Sequence, residues 1–432
     1  MTVARPPAPP AGPTPGRGRR RLAAVAYAGP ACLVAVGYID PGNWGTDIAA
    51  GASFGYRLLW VLVLANCIAL FLQYLAAKLG LATGADLAAL LGSRLSGVPR
   101  ALVVAVVAAI LLATEVAEFL GVVLALRLLL GVPMVWAVVL GAALVVGILT
   151  VAAGNRAVER CIMLLLAVVA GVYVYELWLS RPGGEVAAGL APTLPPDSAP
   201  VAIAMLGATV MPHNLFLHSR VVRWPLESQT KRNPSSGDSD AADAPRRSVL
   251  RRTTLASALA LNVALLINAA ILVVAADTLG GGDVPETLAE AARSLSPVLG
   301  PLATGAFSLA LLAAGLASTT TSGVTGQFVI EGLTGLRPPL LARRAVALVP
   351  AVLVLLLGVG EVRALMLSQL VLSLALPIVI FVLIRLTADR TLMGPLADRP
   401  TTRYAAYAVL ALVVVADLVA LTDMITATFA HG

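Results

Sequence analysis

The chain has 432 residues, 59% of them hydrophobic and only 12% charged, whereas soluble globular proteins carry about 45–50% apolar and about 25% charged residues. Water is therefore excluded as the solvent for most of the surface. The net charge of +7 does not signal nucleic acid, because the charges gather between apolar runs, as membrane topology requires.

Uncharged runs such as Leu58 to Ala77, Met134 to Gly154 and Leu255 to Ala276 reach the roughly 20 residues needed to cross the hydrocarbon core as a helix. The two-residue alternation of a membrane barrel is absent. The expected class is an all-α polytopic membrane protein, neither an enzyme nor a soluble binding module. Residues 1–16, rich in Pro, Ala and Gly, read as disordered. With Arg17, Arg19, Arg20 and Arg21 they make a basic cytoplasmic tail over 1–21. A basic stretch ahead of an apolar one can also be a cleaved signal peptide. Another span follows directly, so an uncleaved first helix is expected.

Spans are predicted near 24–52, 58–80, 101–129, 133–153, 160–180, 199–222, 252–277, 299–333, 339–360, 362–386 and 403–428. Alternate connections hold Arg94 and Arg100, Arg156 and Arg160, Arg220 to Arg252, Arg343 and Arg344, and Arg390 to Arg403. The other side has Arg57, Arg127, Arg181, Arg293 and Arg363, offset by acids such as Glu185, Asp283 and Glu361. This bias predicts a multi-pass protein of the cell membrane with its N-terminus cytoplasmic and its C-terminus outside. The longest connection, 224–250, is rich in Pro, Ser, Asp and Arg and is expected to be flexible. Cys32, Cys67 and Cys161 fall in or beside apolar runs and read as small buried hydrophobes.

Polar residues inside the spans carry the chemistry. The first span is interrupted at Asp40-Pro41-Gly42-Asn43, where proline removes a helical hydrogen bond and clashes with the preceding turn. An Asp at this depth costs about 2.5–3.5 kcal/mol on insertion scales. Asp40 is either a cap for the half-helix after the break or a cation ligand, with the Asn43 amide oxygen beside it. In the third span Glu115 and Glu118 share one face and read as a proton route or as a salt-bridge network with Arg343 and Arg344.

The sixth span breaks at Met211-Pro212-His213-Asn214 and frees carbonyls including that of Ala208. Met211 is either packing or the one soft ligand of an oxygen-rich site, which would favour a transition metal over calcium or magnesium. His213 and His218 stand about 140° apart on a helix, which disfavours a two-histidine metal site. His213 reads as a proton-handling or gating group or as a structural one. Asn268, Ser318 to Ser322, Ser368, Gln369 and Ser373 read mainly as interhelical hydrogen-bonding groups.

One interval separates Asp40 from Met211, Pro41 from Pro212 and Asn43 from Asn214, and four spans follow each break. Residues 22–180 and 199–386 thus read as two repeats of five spans, inverted because the number is odd, with an eleventh span at 403–428. Paired broken helices in inverted repeats mark the substrate site of many secondary transporters.

These residues resemble the signatures of the Nramp family of proton-coupled divalent-metal transporters. Asp40-Pro41-Gly42-Asn43 is similar to its first-helix motif, and GATVMPHNLFLHS at 207–219 to its sixth. GASFGY at 51–56, QYLAAKLGLATG at 73–84 and the pair Ser368-Gln369 agree too. The resemblance implies a LeuT-like inverted repeat of five plus five helices, with helices one and six broken. It implies metal ligands at Asp40, Asn43, the Ala208 carbonyl and Met211, joined in some states by Gln369. It also implies proton uptake near Asp40 and a polar route past His213, Glu118 and the arginine pair. Glu115 stands where the family usually has aspartate.

The expected function is proton-coupled import of manganese, with iron(II) and similar ions possible cargo. No cofactor, no nucleic acid and no obligate protein partner are expected. A rival is a cation- or proton-coupled amino-acid transporter on the same fold, which an anionic Asp40 opposes by repelling the substrate carboxylate. A second rival, an intramembrane metalloenzyme, lacks the H-E-x-x-H pattern. A channel would share these ligands but not saturable, proton-dependent uptake.

Overall fold

A computed structural model describes residues 31, 33–152, 156–180, 183–224, 243–280, 285, 287, 288, 290, 291 and 303–430. The basic tail, Cys32, Arg181, Asp283, Arg293, most of the 224–250 connection and His431 lie outside the described residues, as does the side chain of Cys161.

Residues 33–37 are helical and end in a turn at Tyr38 and Ile39. Asp40 then caps α1 (Pro41–Phe54), with Pro41 at the first helical position, where its missing N–H costs nothing. A short 3-10 turn, Gly55–Leu58, leads into α2 (Leu59–Thr83), which Gly84 terminates at φ 67°, a left-handed conformation that suits glycine. Next come α3 (Leu87–Arg94), α4 (Gly97–Leu130), α5 (Met134–Ala152) and α6 (Arg156–Ser180). The second half opens with α7 (Ala199–Val210) and α8 (Pro212–Val221), separated only by Met211. It continues with α9 (Asp243–Leu279), α10 (Ala303–Thr334), α11 (Leu340–Leu356) and α12 (Glu361–Ala388). The four-residue α13 (Arg390–Met393) and the long α14 (Pro400–Ala430) complete the chain.

Seven described stretches are long and apolar enough to cross a membrane, with Pro41–Thr83 as one continuous run. Over the described residues, the spans expected near 133–153 and 160–180 have the shorter apolar runs Met134–Thr150 and Ala167–Ser180, and the one near 339–360 is the 17-residue helix α11. Burial separates centre from periphery. The apolar window of the α7–α8 pair is 94% buried, and that of α14 only 17%. The broken pair is therefore the axis of the bundle, and α14 flanks it against α12 and α7. Around the axis α4 packs against α10 and α12, and α1 against α9 and α12. Leu255, Leu259 and Leu266 on α9, and Leu412, Val415 and Leu418 on α14, remain exposed. An apolar surface of this kind requires lipid.

Three expectations change. Cys67 is exposed on α2, because the outer face of a lipid-bathed helix is as apolar as its inner face. The connection before the third span contains α3, capped by the Asp86 carboxylate, which accepts from Ala89 N at 2.9 Å. Residues 243–250, assigned to the flexible connection, are the first turns of α9. Val249 and Leu250 pack there with Ala77, Leu81 and Val222, and apolar packing outweighs the loop-like composition.

Candidate cation site

The first break is built from its cap. Tyr38 N and Ile39 N close the preceding helix on the carbonyls of Ala35 and Val36, at 3.0 and 3.1 Å. Asp40 has extended backbone, φ −81° and ψ 162°. Its Oδ1 accepts from Asn43 N at 2.9 Å and from Asn43 Nδ2 at 2.7 Å. Capping uses only that oxygen. Asp40 is 1% exposed, and its Oδ2 has no hydrogen-bond partner. The Asn43 Oδ1 has none either. Gln369 of α12 lies directly on Gly42, in space that a Cβ would take. Its Nε2 donates to Ser368 Oγ at 3.0 Å, which leaves Oε1 unpartnered. Three buried oxygens thus surround the start of α1 with lone pairs unspent. An unsatisfied buried acceptor costs about 1–3 kcal/mol, so the grouping is expensive unless something positive visits it.

At the second break Met211 takes φ 41° and ψ 91°, a positive φ rare outside glycine. Its N–H still reaches Gly207 O at 3.2 Å. Pro212 has no N–H for the Ala208 carbonyl. Met211 is fully buried, and its Sδ accepts from Asn214 Nδ2 at 3.7 Å. The same amide donates to Val34 O at 3.3 Å, and its side chain fills the space beside Gly37. Asn214 therefore ties the Met211 thioether to the chain that leads into Asp40. Gly207, one turn before Met211, packs on the Gln369 carbonyl and Ser373, so α12 touches both breaks.

The acidic pair on α4 divides its partners. Arg344 forms an ion pair with Glu115 and donates to Thr319 O at 3.1 Å. Arg343 instead donates to Gly323 O at 3.3 Å. Glu118 is reached through Ser322, whose hydroxyl bridges both glutamates. Thr114, beside Glu115, meets His213 Nδ1 at 3.2 Å. His218 faces elsewhere, toward Gln73 Oε1 at 2.7 Å and Ser257 at 3.5 Å. Gln73 in turn donates to Tyr38 OH at 2.8 Å, and Asn268 to Tyr38 O at 2.9 Å. The histidines thus serve different neighbours.

Of the remaining polar residues, Ser373 bonds across to Asp417 of α14 at 2.8 Å. Ser318, Thr320, Thr321 and Ser368 spend their hydroxyls on carbonyls of their own helices. Among the described residues no cluster of three or more His, Cys, Asp or Glu side chains occurs. The donors near the two breaks are a mixed set of carboxylate, amides, carbonyl and thioether. Sequence reasoning gave no role to Gln73 or Asn214. It also overlooked Asp47 and Glu176, although an acid inside an apolar run is the signal that singled out Asp40.

Residues 31–423 match the family model "Nramp: Natural resistance-associated macrophage protein-like". A divalent metal cation transporter MntH of Xylella fastidiosa is 41% identical over 424 residues, covering 94% of this chain and 87% of that protein. One of Deinococcus radiodurans is 35% identical, covering 89% and 86%. The crystal structure of an Eremococcus coleocola manganese transporter superposes with a TM-score of 0.79 at 30% identity, covering 96% of this chain and 90% of that one. Mhp1, a nucleobase-cation-symport-1 family transporter, shares the fold at 18% identity, with a TM-score of 0.60 and coverage of 94% and 91%. The architecture is the LeuT-like inverted repeat with a further helix, α14. From its matched residues and its fold, the chain belongs to the Nramp family of multi-pass membrane transporters.

Proposed function

We propose that this protein imports divalent transition-metal ions, manganese foremost and iron(II) with it, by alternating access coupled to protons. The observation that carries this reading is the set of unpartnered buried oxygens at the first break: Asp40 Oδ2, Asn43 Oδ1 and Gln369 Oε1. A cation satisfies all three at once, and Asn214, which meets both the Met211 sulfur and the Val34 carbonyl ahead of Asp40, supports a thioether joining them. Asp40, Asn43, Met211 and the Ala208 carbonyl are the metal ligands, and Gln369 completes the shell. The oxygens accept any hard divalent ion, whereas the Met211 sulfur adds attraction only for softer ones. Relatives described as divalent metal cation transporters and a manganese transporter support the same cargo.

Proton movement follows the polar row from Asp40 past His213, Thr114 and Glu118 to Glu115 and the arginine pair Arg343–Arg344. Ser322 joins the two glutamates, so a proton can shift between them with little rearrangement. The positive-inside bias puts the N-terminus in the cytoplasm and the C-terminus outside. Metal then arrives from the side toward which α1 runs and leaves past the 33–37 segment as the half-helices swing. Uptake of manganese into proteoliposomes with an imposed pH gradient tests the reading. The wild type should show saturable uptake with proton influx, and Asp40→Asn should abolish metal uptake. Robust uptake by Asp40→Asn overturns the site.

A further inference from the structure

The half-helix α8 starts at the second break and ends, about 14 Å further along its axis, in a clamp formed by α2, α3 and α10. Ser219 is fully buried against Gly80 of α2, where a Cβ would overlap the Ser219 carbonyl. Its Oγ accepts from Leu87 N, the first residue of α3, at 3.0 Å. Arg223 donates to the Gly84 carbonyl in the turn between α2 and α3. Arg220 reaches furthest. Its Nη1 donates to Asp86 Oδ2 at 3.3 Å, and its guanidinium lies 5.0 Å from the centroid of the Phe328 ring on α10.

Asp86 divides its oxygens as Asp40 does: Oδ1 caps α3 on Ala89 N, and Oδ2 takes Arg220. The helix it caps is seated on α10. Gly92 and Gly332 meet there with no room for a Cβ on either, and Arg100 donates to Leu333 O at 2.7 Å. Arg220 therefore ties α8 to one platform twice, directly through Phe328 and indirectly through Asp86. These two ties are also the ones that part most easily. The contact at Gly80 is backbone against backbone, whereas the Arg220 side chain is 40% exposed, so water can take over its guanidinium. Partly exposed ion pairs and cation–π contacts are modest in strength. A bond that must break and re-form in every transport cycle needs that property.

We propose that Arg220 is a latch: paired with Asp86 and stacked on Phe328, it holds the end of α8 against α3 and α10 while Asp40 and Met211 are buried, and it lets go when the half-helices swing to release the ion inward. This rests on the reading of the protein as an alternating-access importer with that end of α8 cytoplasmic. Arg220 stands nine residues from Met211, so it acts on the balance between closed and inward-open forms and not on the ligands themselves.

With the native cysteines replaced by serine, Leu87→Cys reports the latch in the full-length protein. Leu87 is fully buried and lines a small cavity with Phe216 of α8, so a membrane-impermeant maleimide on the cytoplasmic face reaches it only when α8 leaves α3. In the absence of metal, Arg220→Gln and Asp86→Asn should each speed labelling about fivefold; asparagine preserves the α3 cap. The double variant should go little further, because both changes break one interaction, and Arg220→Lys should stay near the wild type. The apparent KM for external manganese should rise in step, since fewer molecules present the site outward. Wild-type labelling rates in both single variants overturn the latch, as do effects that add in full. Faster labelling at the control Val122→Cys also overturns it, since Val122 packs on Gly315, about 20 Å along α10 from Phe328. If wild-type vesicles take up no manganese, the importer reading fails, and the labelling still decides the latch. Should Leu87→Cys not fold, hydrogen exchange over 215–222 in Arg220→Gln decides: faster exchange supports the latch, and an unchanged rate overturns it.

Discussion

Asp40 does two jobs with two oxygens. Oδ1 caps α1 through Asn43, and Oδ2 is left over. A cap alone needs no charge, since serine serves as well. Asp40→Ser should therefore keep the fold, changing stability by at most about 1 kcal/mol, yet lose manganese uptake. Thermal unfolding and transport measured on the same preparation check the pair of outcomes. Met211 is the selective element of the proposed site. Met211→Ala should let calcium or magnesium compete with manganese for uptake, read by competition in proteoliposomes. Unchanged selectivity would remove the soft-ligand argument.

At the scale of helices, the broken pairs stay close because glycines let α12 and the half-helices touch. A methyl group at Gly207 meets the fixed Gln369 carbonyl and Ser373, whereas one at Gly42 meets the movable end of the Gln369 side chain. Gly207→Ala should cost about 1–3 kcal/mol, as overpacking does, and Gly42→Ala less. Gly42→Ala should instead weaken metal binding by displacing the Gln369 amide; melting curves and manganese titrations distinguish the two. The α4–α11 contact depends on the buried Glu115–Arg344 pair, with side chains 9% and 5% exposed. Arg344→Ala strands a carboxylate and should cost about 3–5 kcal/mol. Replacing both partners with apolar residues should restore most of that stability but not proton-coupled transport. Of this network, the closeness of Glu115 and Glu118 was legible from their spacing. The arginine pair was legible too as a candidate partner, but not that Arg344 alone takes Glu115 while Arg343 takes a carbonyl and Ser322 makes the bridge, because three separate helices supply them.

At the scale of the molecule, the proposed orientation makes a direct prediction. With the native cysteines replaced by serine, Ala187→Cys in the Gly184–Leu190 turn should react with a membrane-impermeant maleimide applied outside. Pro395→Cys, between α13 and α14, should react only after the membrane is opened. The reverse pattern would invert the topology.

The sequence by itself pointed to the apolar spans, the two breaks and, at the breaks, Asp40, Asn43, the Ala208 carbonyl and Met211 as candidate ligands, whereas Gln369 entered only through the family resemblance. Each depends on local facts: apolar length, proline without an N–H, and a charge where hydrocarbon forbids one. Only the tertiary structure decided which oxygens remain unpartnered, that Asn214 joins the two breaks, and which way Cys67 faces. Lipid and bundle interior are equally apolar, so hydropathy does not tell one helix face from another, and the neighbours fix it. Asp47 and Glu176 show the same division. Their presence in apolar runs is plain in the sequence, but that both are buried with unpartnered oxygens is a property of the packed bundle.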